Sequence, residues 1–238
     1  MSDRPGRLRS VESASAWERV VRAATKLQEL FPEAVLVGGT AASLYAKHRF
    51  SRDDDHIIEH LAGRYDEVLE RLESLAGWKT KRRIRPFLIL GNLDGVDTGL
   101  RNLRRAIPLE TVDHETPFGR LRLPTLPEML RIKAFLILDR NATRDYIDTV
   151  ALADHLTAAE GSAATLHVLT RLDAYYPQDE ESASRQLAKQ LAEPRPYDLD
   201  DADVLQYRFL IERYKSWQHL TERALELAAA LEIARDLG

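Results

Sequence analysis

Hydrophobic residues in the first third of the chain change between helical and extended spacing. Residues 13–31 and 65–77 each carry apolar side chains three or four positions apart, which predicts two amphipathic helices. Between them, the continuous apolar run Val35–Val37 predicts a short buried strand. A helix over 40–47 and a strand over 53–59 are predicted to follow it. This order of elements predicts an α/β fold.

Further short apolar runs predict the remaining strands of one small mixed sheet, at 78–83, 85–90, 93–100 and 107–112. Proline and glycine at 117–119 and 124–127 predict turns that close this half of the chain.

Almost all of the chain after Thr125 has helical spacing. Thr125 and Glu128 form a capping-box pair, and their helix is predicted to run to Arg140. Further helices are predicted at 144–156, 162–175 and 182–192. A long final helix is predicted from one apolar stripe, formed by Leu210, Tyr214, Trp217, Leu220, Ala224, Leu227 and Leu231. The stripe either packs on its own domain or binds a partner. The sequence predicts a mixed-sheet core over residues 1–123 and an α-helical C-terminal domain over 124–238.

The composition is ordinary for a globular protein, with 44% hydrophobic and 30% charged residues. The chain has no cysteine, which excludes disulfides, thiolate zinc sites and cysteine nucleophiles, and favours a cytoplasmic location. No stretch approaches the ~18 apolar residues of a membrane helix, so no membrane partner is expected. The motifs of P-loop ATPases, serine hydrolases and zincins are also absent.

Two glycines and two aspartates bring candidate chemistry to the ends of the predicted strands. Gly38 and Gly39 allow backbone N–H groups to approach a phosphate closely, just before a helix N-terminus. Asp53 and Asp55 lie two residues apart, so both carboxylates point to one side of a strand. Because Mg²⁺ prefers carboxylates together with substrate phosphates, these residues predict a site for a metal-bound nucleoside triphosphate (NTP).

Two groups of motifs resemble a known superfamily. Gly38-Gly39-Thr40, followed by His48-Arg49-Phe50-Ser51-x-Asp53-x-Asp55, resembles the signature of the nucleotidyltransferases, which have the DNA polymerase β-like fold. Arg131-Ile-Lys133 to Arg140, with Arg144-Asp145-Tyr146-Ile-Asp148, is similar to the helical half of the AbiEii/AbiGii toxin family, which includes the MenT-type toxins. The resemblance covers residues 32–156. It departs from the family at Asp54, where an apolar residue is usual. Since His56 follows, positions 54 and 56 are an alternative ligand pair.

The resemblance implies transfer of a nucleotide from an NTP to an acceptor hydroxyl, assisted by Mg²⁺ or Mn²⁺, with the triphosphate between the two halves. Asp53 and Asp55 are implied as metal ligands. Lys133 is implied to contact the triphosphate, although a partner in Asp145 or Asp148 would also satisfy its ammonium group. Asp145 is implied to act at the active site, by orienting Lys133 or as a base; alternatively it only favours the helix dipole.

The other candidate ligands are less specific. Gly38, Gly39 and Thr40 are expected to bind the triphosphate. Arg49 either holds a phosphate or pairs with Asp53, and Ser51 either binds a phosphate or caps a turn. Asp97 is the candidate third metal ligand, with Asp94 as the alternative; a structural role in a turn would explain either residue equally well.

The net charge is −4, yet residues 79–105 contain eight basic residues and only two aspartates. This segment either binds a polyanion or blunts a sheet edge. The resemblance implies a toxin acting on tRNA 3′ ends, with a cognate antitoxin. A small hydroxylated acceptor such as an antibiotic is the second hypothesis, and a catalytically silent nucleotide- or partner-binding module is the third.

Overall fold

The structure, a computed structural model, describes residues 5–199, 207 and 210–236, and from residue 15 onward their side chains as well. The helices in this part are α1 (Pro5–Leu30), α2 (Gly38–Ala46), α3 (Tyr65–Glu73), α4 (Leu126–Arg140), α5 (Thr143–Glu160), α6 (Ser162–Thr170), α7 (Leu172–Tyr175), α8 (Ala183–Ala192) and α9 (Trp217–Asp236). The strands are β1 (Val35–Val37), β2 (Asp53–Ile58), β3 (Trp78–Ile84), β4 (Leu88–Leu93), β5 (Val96–Asn102), β6 (Thr111–Thr116) and β7 (Gly119–Pro124). Short 3₁₀ turns occupy Leu61–Gly63 and Glu212–Tyr214.

The chain divides into two compact units. The sheet unit comprises the described residues up to Ala41, with Ser51–Arg104 and Thr111–Pro124. The helical unit comprises Ala42–Phe50, Arg105–Glu110 and the described residues from Thr125 onward. The sequence did not predict that two short segments of its first half would join the helical unit.

A five-stranded mixed sheet forms the centre of the sheet unit, in the order β1-β2-β5-β4-β3. Only the β2–β5 pair is parallel; the other three pairs are antiparallel. The predicted α/β class with a small mixed sheet is therefore confirmed.

The two faces of this sheet have opposite character. One face packs against α1 and α3, where side chains such as Leu27, Val68, Ile89 and Leu100 are buried completely. Most side chains of β2–β5 on the other face are exposed or half-buried, and many are charged, whereas Val35 and Val37 of β1 are buried on that face. We call this second face the open face. The alternation of side chains along each strand decides which residues reach it.

The expected strand at 107–112 is wrong in both position and partner. Residues 111–116 form β6, which pairs with β7 in a separate two-stranded sheet. Leu121 and Leu123 of β7 are buried, while Arg120 is exposed, which is the alternation of a half-buried strand. The glycine and proline at its two ends had suggested turns instead.

The helical unit contains the predicted helices, but the final helix begins at Trp217 and not near Leu210, and the helix expected at 162–175 is divided into α6 and α7. The Thr125 side chain accepts a hydrogen bond from the Glu128 backbone N–H at 3.3 Å, which caps α4 as predicted. The reciprocal half of the capping box is absent, because the Glu128 carboxylate pairs with Arg105 and Arg131. Helix α9 packs on α5, α6 and α8 through Leu220, Ala224, Ala228 and Leu231. None of the described helices is long and apolar enough to cross a bilayer.

Candidate functional site

Alternate residues of β2 point to opposite faces, and this separates the two candidate ligand pairs. Asp53 is exposed and Asp55 half-buried on the open face. Asp54 and His56 are buried on the other face, where Asp54 Oδ1 lies 3.1 Å from His56 Nδ1. A ligand from solvent can therefore reach the pair 53/55, whereas the pair 54/56 belongs to the packed interior.

Asp97 joins the open face through the parallel pairing of β2 with β5. Its Cα is the register partner of Asp53, so the two carboxylates are neighbours on adjacent strands. Asp94, the alternative third ligand, occupies the β4–β5 turn with φ 51° and pairs with Lys26 at 2.7 Å. The geometry favours Asp97.

Two glycines leave room for the carboxylate of Asp55. A Cβ added to Gly99 would lie 2.7 Å from Asp55 Oδ1, and one added to Gly38 would lie 3.3 Å from Asp55 Oδ2. Gly38 also has φ +73°, a conformation that side chains rarely adopt, at the turn from β1 into α2. Side chains at these positions would crowd the carboxylate, so the glycines form a cradle around it.

Protein cations are the partners of two of these carboxylates. Lys81 of β3 forms an ion pair with Asp97, and Asn92 Nδ2 donates to Asp97 Oδ1 at 3.0 Å. The hydrogen bonds from Lys81 and Asn92 hold the pKa of Asp97 below its ordinary value. Arg101 Nη2 lies 3.5 Å from Asp55 Oδ1. The open face therefore carries carboxylates and their own counter-ions side by side.

The donor set of the open face fits a hard divalent cation. Asp53, Asp55 and Asp97 offer carboxylate oxygens on two adjacent strands, and the glycine cradle leaves Asp55 accessible. Within the described residues, no three acidic or histidine side chains already converge on a common point. Asp55 and Asp97 would have to leave their counter-ions to bind a metal together.

Thr40 links the glycine turn to the carboxylate strand. Its hydroxyl is buried and donates to the Asp53 carbonyl oxygen at 2.6 Å, which fixes the first turn of α2 against the start of β2. The predicted contact of Thr40 with a triphosphate stays a prediction. Gly39 and Ser51 are partly exposed. Their predicted contacts with a triphosphate stay predictions.

In the helical unit, one buried carboxylate binds three nitrogen-containing side chains. Asp148 of α5 accepts hydrogen bonds from Arg49 Nε at 2.7 Å and Arg49 Nη2 at 2.8 Å. Lys133 Nζ lies 2.8 Å from Asp148 Oδ2, and His48 Nε2 lies 2.7 Å from Asp148 Oδ1. We call these four residues the Asp148 cluster. Of the two aspartates expected as partners for Lys133, Asp148 is the one the structure brings to it.

Burial and charge set the protonation of the Asp148 cluster. Burial lowers the pKa of Lys133, and Asp148 only partly offsets this effect. Burial likewise lowers the pKa of His48 despite its bond to Asp148, and the nearby charges of Arg49 and Lys133 add to the effect. The adjacent cations hold the pKa of Asp148 well below its usual range, against the opposing effect of burial. Asp148 is therefore ionised, and His48 is neutral at neutral pH.

Asp145 lies in the first turn of α5 and is completely buried. It binds Arg140 through two hydrogen bonds, of 2.7 and 2.6 Å, and accepts a longer one from the Ala142 backbone N–H. These contacts match its expected favourable position in the helix dipole. A catalytic role for Asp145 stays a prediction.

The structure thus groups the candidate residues in two sets. The sheet unit brings together Gly38, Asp53, Asp55 and Asp97, and the helical unit brings together Arg49 and Lys133. Sequence reasoning missed Gly99, Lys81 and Arg101 as neighbours of the carboxylates. A glycine inside the predicted strand at 93–100 was the available signal for a close approach.

Comparisons with known proteins point to the fold. A crystal structure of an H. pylori protein assigned as a nucleotidyltransferase matches 94% of this chain and 97% of its own, with TM-score 0.58 and 18% identity. The chain has the nucleotidyltransferase fold. A crystal structure of ANT(2″)-Ia in complex with adenylyl-2″-tobramycin covers 64% of this chain and 97% of its own, with TM-score 0.46 and 10% identity. No protein-family model matches the chain.

Curated relatives come from mycobacteria. The chain is 38% identical over 140 residues to the transport protein MmpL11 of Mycobacterium leprae, covering 56% of this chain. It is 37% identical over 137 residues to the heme uptake protein MmpL11 of Mycobacterium tuberculosis. The chain spans only 13% of the length of these two relatives. In Mycolicibacterium smegmatis, the exporter MmpL11 of mycolic acid-containing lipids is 27% identical over 92% of this chain.

Proposed function

We propose that this protein is a metal-dependent nucleotidyltransferase, which moves a nucleoside monophosphate from an NTP to an acceptor hydroxyl. The observation that carries the proposal is the pair Asp53 and Asp55 on the open face, with Gly38 and Gly99 around Asp55. The acceptor hydroxyl releases its proton to solvent as its oxygen forms a bond to the α-phosphorus, and the bond from that phosphorus to the leaving pyrophosphate breaks.

Asp53 and Asp55, with Asp97 as the third candidate, would hold Mg²⁺ or Mn²⁺. When bound, such a metal would neutralise the triphosphate and supply Lewis-acid assistance to in-line displacement. Asp53, Asp55 and Asp97 contribute by presenting their carboxylates on the open face. Thr40 keeps that strand in place relative to the glycine turn, where the N–H groups at the start of α2 are suited to a phosphate.

The Asp148 cluster supports an anionic ligand in the helical unit. Two cationic side chains, Arg49 and Lys133, share the single carboxylate of Asp148, and neither is exposed by more than 7%. A surplus buried positive charge is costly unless it is balanced. A bound phosphate group would balance it, so Arg49 and Lys133 are the proposed anion-binding side chains of the helical unit.

The proposed acceptor is the 3′ end of a tRNA, and the proposed biological role is that of a toxin controlled by an antitoxin. Three exposed cations support a polyanion: Lys79, Arg82 and Arg83 of the edge strand β3 have no ion-pair partner among the described residues. Other basic residues of the segment are already paired, with Lys81 bound to Asp97, Arg85 to Asp66 and Arg105 to Glu128. The proposed polyanion surface is therefore smaller than the sequence suggested.

The test is label transfer from each α-labelled NTP to total RNA, with Mg²⁺ present. We expect labelled RNA with the wild type and none with Asp53→Asn or Asp55→Asn, because losing a metal ligand removes several kcal/mol of transition-state stabilisation. Asp94→Asn is the matched control, since it removes an exposed carboxylate that does not share the open face.

The outcomes separate the alternatives. Equal label transfer by the wild type and Asp55→Asn would overturn the assignment of the active site to the open face. Metal-dependent NTP turnover without labelled RNA would move the acceptor to a small molecule. Absence of any NTP turnover would leave a binding module.

A further inference from the structure

Strand β3 contains an irregularity that adds one cation to the open face. Lys79 and Thr80 pair with Asn92 and Gly91, and the register then shifts so that Arg82 pairs with Leu90. Lys81 is the extra residue of this β-bulge. Bulges redirect side chains and are common beside functional sites.

Lys81 reaches across a whole strand to its partner. It belongs to β3, whereas Asp97 belongs to β5, and β4 lies between them. Asn92, on β4, donates to the same carboxylate oxygen of Asp97 at 3.0 Å. Side chains of β3 and β4 therefore hold the carboxylate of Asp97 on the side of β5 that faces β3.

We propose that Lys81 is an internal counter-ion that withholds Asp97 from the metal pair Asp53 and Asp55, so that a divalent cation must displace Lys81 to recruit Asp97. The inference rests on the proposed function, because it assumes that the open face binds a divalent metal. Lys81 is thus a positioning residue that sets metal affinity, and the bulge is what aims it.

The exposure of the pair makes this exchange feasible. The side chain of Lys81 is 53% exposed and that of Asp97 61% exposed, so water can solvate both groups once they separate. Exposed ion pairs are weak, which limits the expected effect on metal affinity to about two- to fivefold.

The test measures Mn²⁺ binding to the full chain by the electron paramagnetic resonance signal of free Mn²⁺. We expect Lys81→Met to bind Mn²⁺ about two- to fivefold more tightly than the wild type. Lys79→Met is the matched control, because this substitution removes the same charge from an exposed position on the same strand. Lys79 has no ion-pair partner among the described residues. We expect it to change the affinity less.

A double-mutant cycle with Asp97→Asn shows whether the gain passes through Asp97. In the Asp97→Asn background, Lys81→Met should no longer increase Mn²⁺ affinity. A gain that persists there, or an equal gain in Lys79→Met, would overturn the counter-ion role and leave the proposed function intact. Circular dichroism checks that each variant is folded.

Asp55→Asn distinguishes failure of the counter-ion inference from failure of the proposed metal site. If it abolishes Mn²⁺ binding while Lys81→Met has no effect, only the counter-ion inference falls. If neither the wild type nor Lys81→Met binds Mn²⁺, the metal site of the proposed function falls with it.

Discussion

In the proposed metal site, Gly99 leaves the space that the carboxylate of Asp55 occupies. A methyl group at position 99 would lie 2.7 Å from Asp55 Oδ1 and 3.0 Å from a Leu90 methyl carbon, so the carboxylate must move. We expect Gly99→Ala to weaken Mn²⁺ binding about tenfold or more, in line with other residues that position a metal ligand. Calorimetry measures the affinity.

The control for this prediction is Gly63→Ala. A Cβ at position 63 meets no heavy atom within 4 Å, and the residue lies outside the open face. Its Mn²⁺ affinity should equal that of the wild type. An unchanged affinity in a folded Gly99→Ala protein would show that Asp55 does not need this space.

His48 should make stability fall in mild acid. Its pKa in the folded protein is lowered, chiefly by burial, so below pH 6.5 the unfolded chain binds a proton that the folded chain does not. The free energy of unfolding should therefore decrease as pH falls from 6.5 towards the lower folded pKa. Urea titrations at pH 7.5 and 5.5 measure the difference, which should shrink in His48→Gln. His155→Gln, at an exposed position, should keep the wild-type difference.

At the scale of elements, helix α5 receives its N-terminal cap from a distant residue. Asp198 Oδ1 accepts hydrogen bonds from the Thr143 backbone N–H at 2.7 Å and from the Thr143 hydroxyl at 2.8 Å. We expect Asp198→Ala to lower the free energy of unfolding by about 1 kcal/mol, the usual cost of losing such a cap. Chemical denaturation measures it. Asp198→Asn retains an acceptor oxygen, so a loss as large as that of alanine would argue against capping.

Periodicity predicted most helices and the order of the central strands, because each buries one continuous face, but β4 and β5 begin three residues later than expected, at Leu88 and Val96. It predicted β2 and α4 with nearly the observed bounds. It missed β7, because Gly119 and Pro124 at its ends are turn residues, although the intervening Arg-Leu-Arg-Leu pattern is that of a strand. The sequence offered Asp148 as a partner for Lys133, but it did not predict Asp198 for Thr143, Lys81 for Asp97, or Arg105 for Glu128. Such pairs depend on packing between segments that local patterns do not relate.

For the whole molecule, the proposed RNA binding predicts a salt dependence. Each phosphate contact releases counterions, so replacing Arg82 and Arg83 by alanine should weaken tRNA retention and reduce the slope of log affinity against log salt by roughly 1.4. Filter binding at several salt concentrations measures it. The double substitution of Arg19 and Arg171 is the control, since both are exposed and carry the same charge. Equal effects of the two double variants would indicate attraction by net charge alone.

The parallel pairing of β2 with β5 affects the order in which the strands of the sheet form. Strands β3, β4 and β5 form a local meander, whereas β2 meets β5 only after a long crossover; Asp54 and Thr98, for example, are 44 residues apart. Closing such a long loop loses entropy before the contacts between β2 and β5 can stabilise it. We therefore expect the meander to form first and β2 to dock late. The last strand to dock also brings two carboxylates next to a third. A divalent cation that binds the proposed site during refolding should therefore speed this last step.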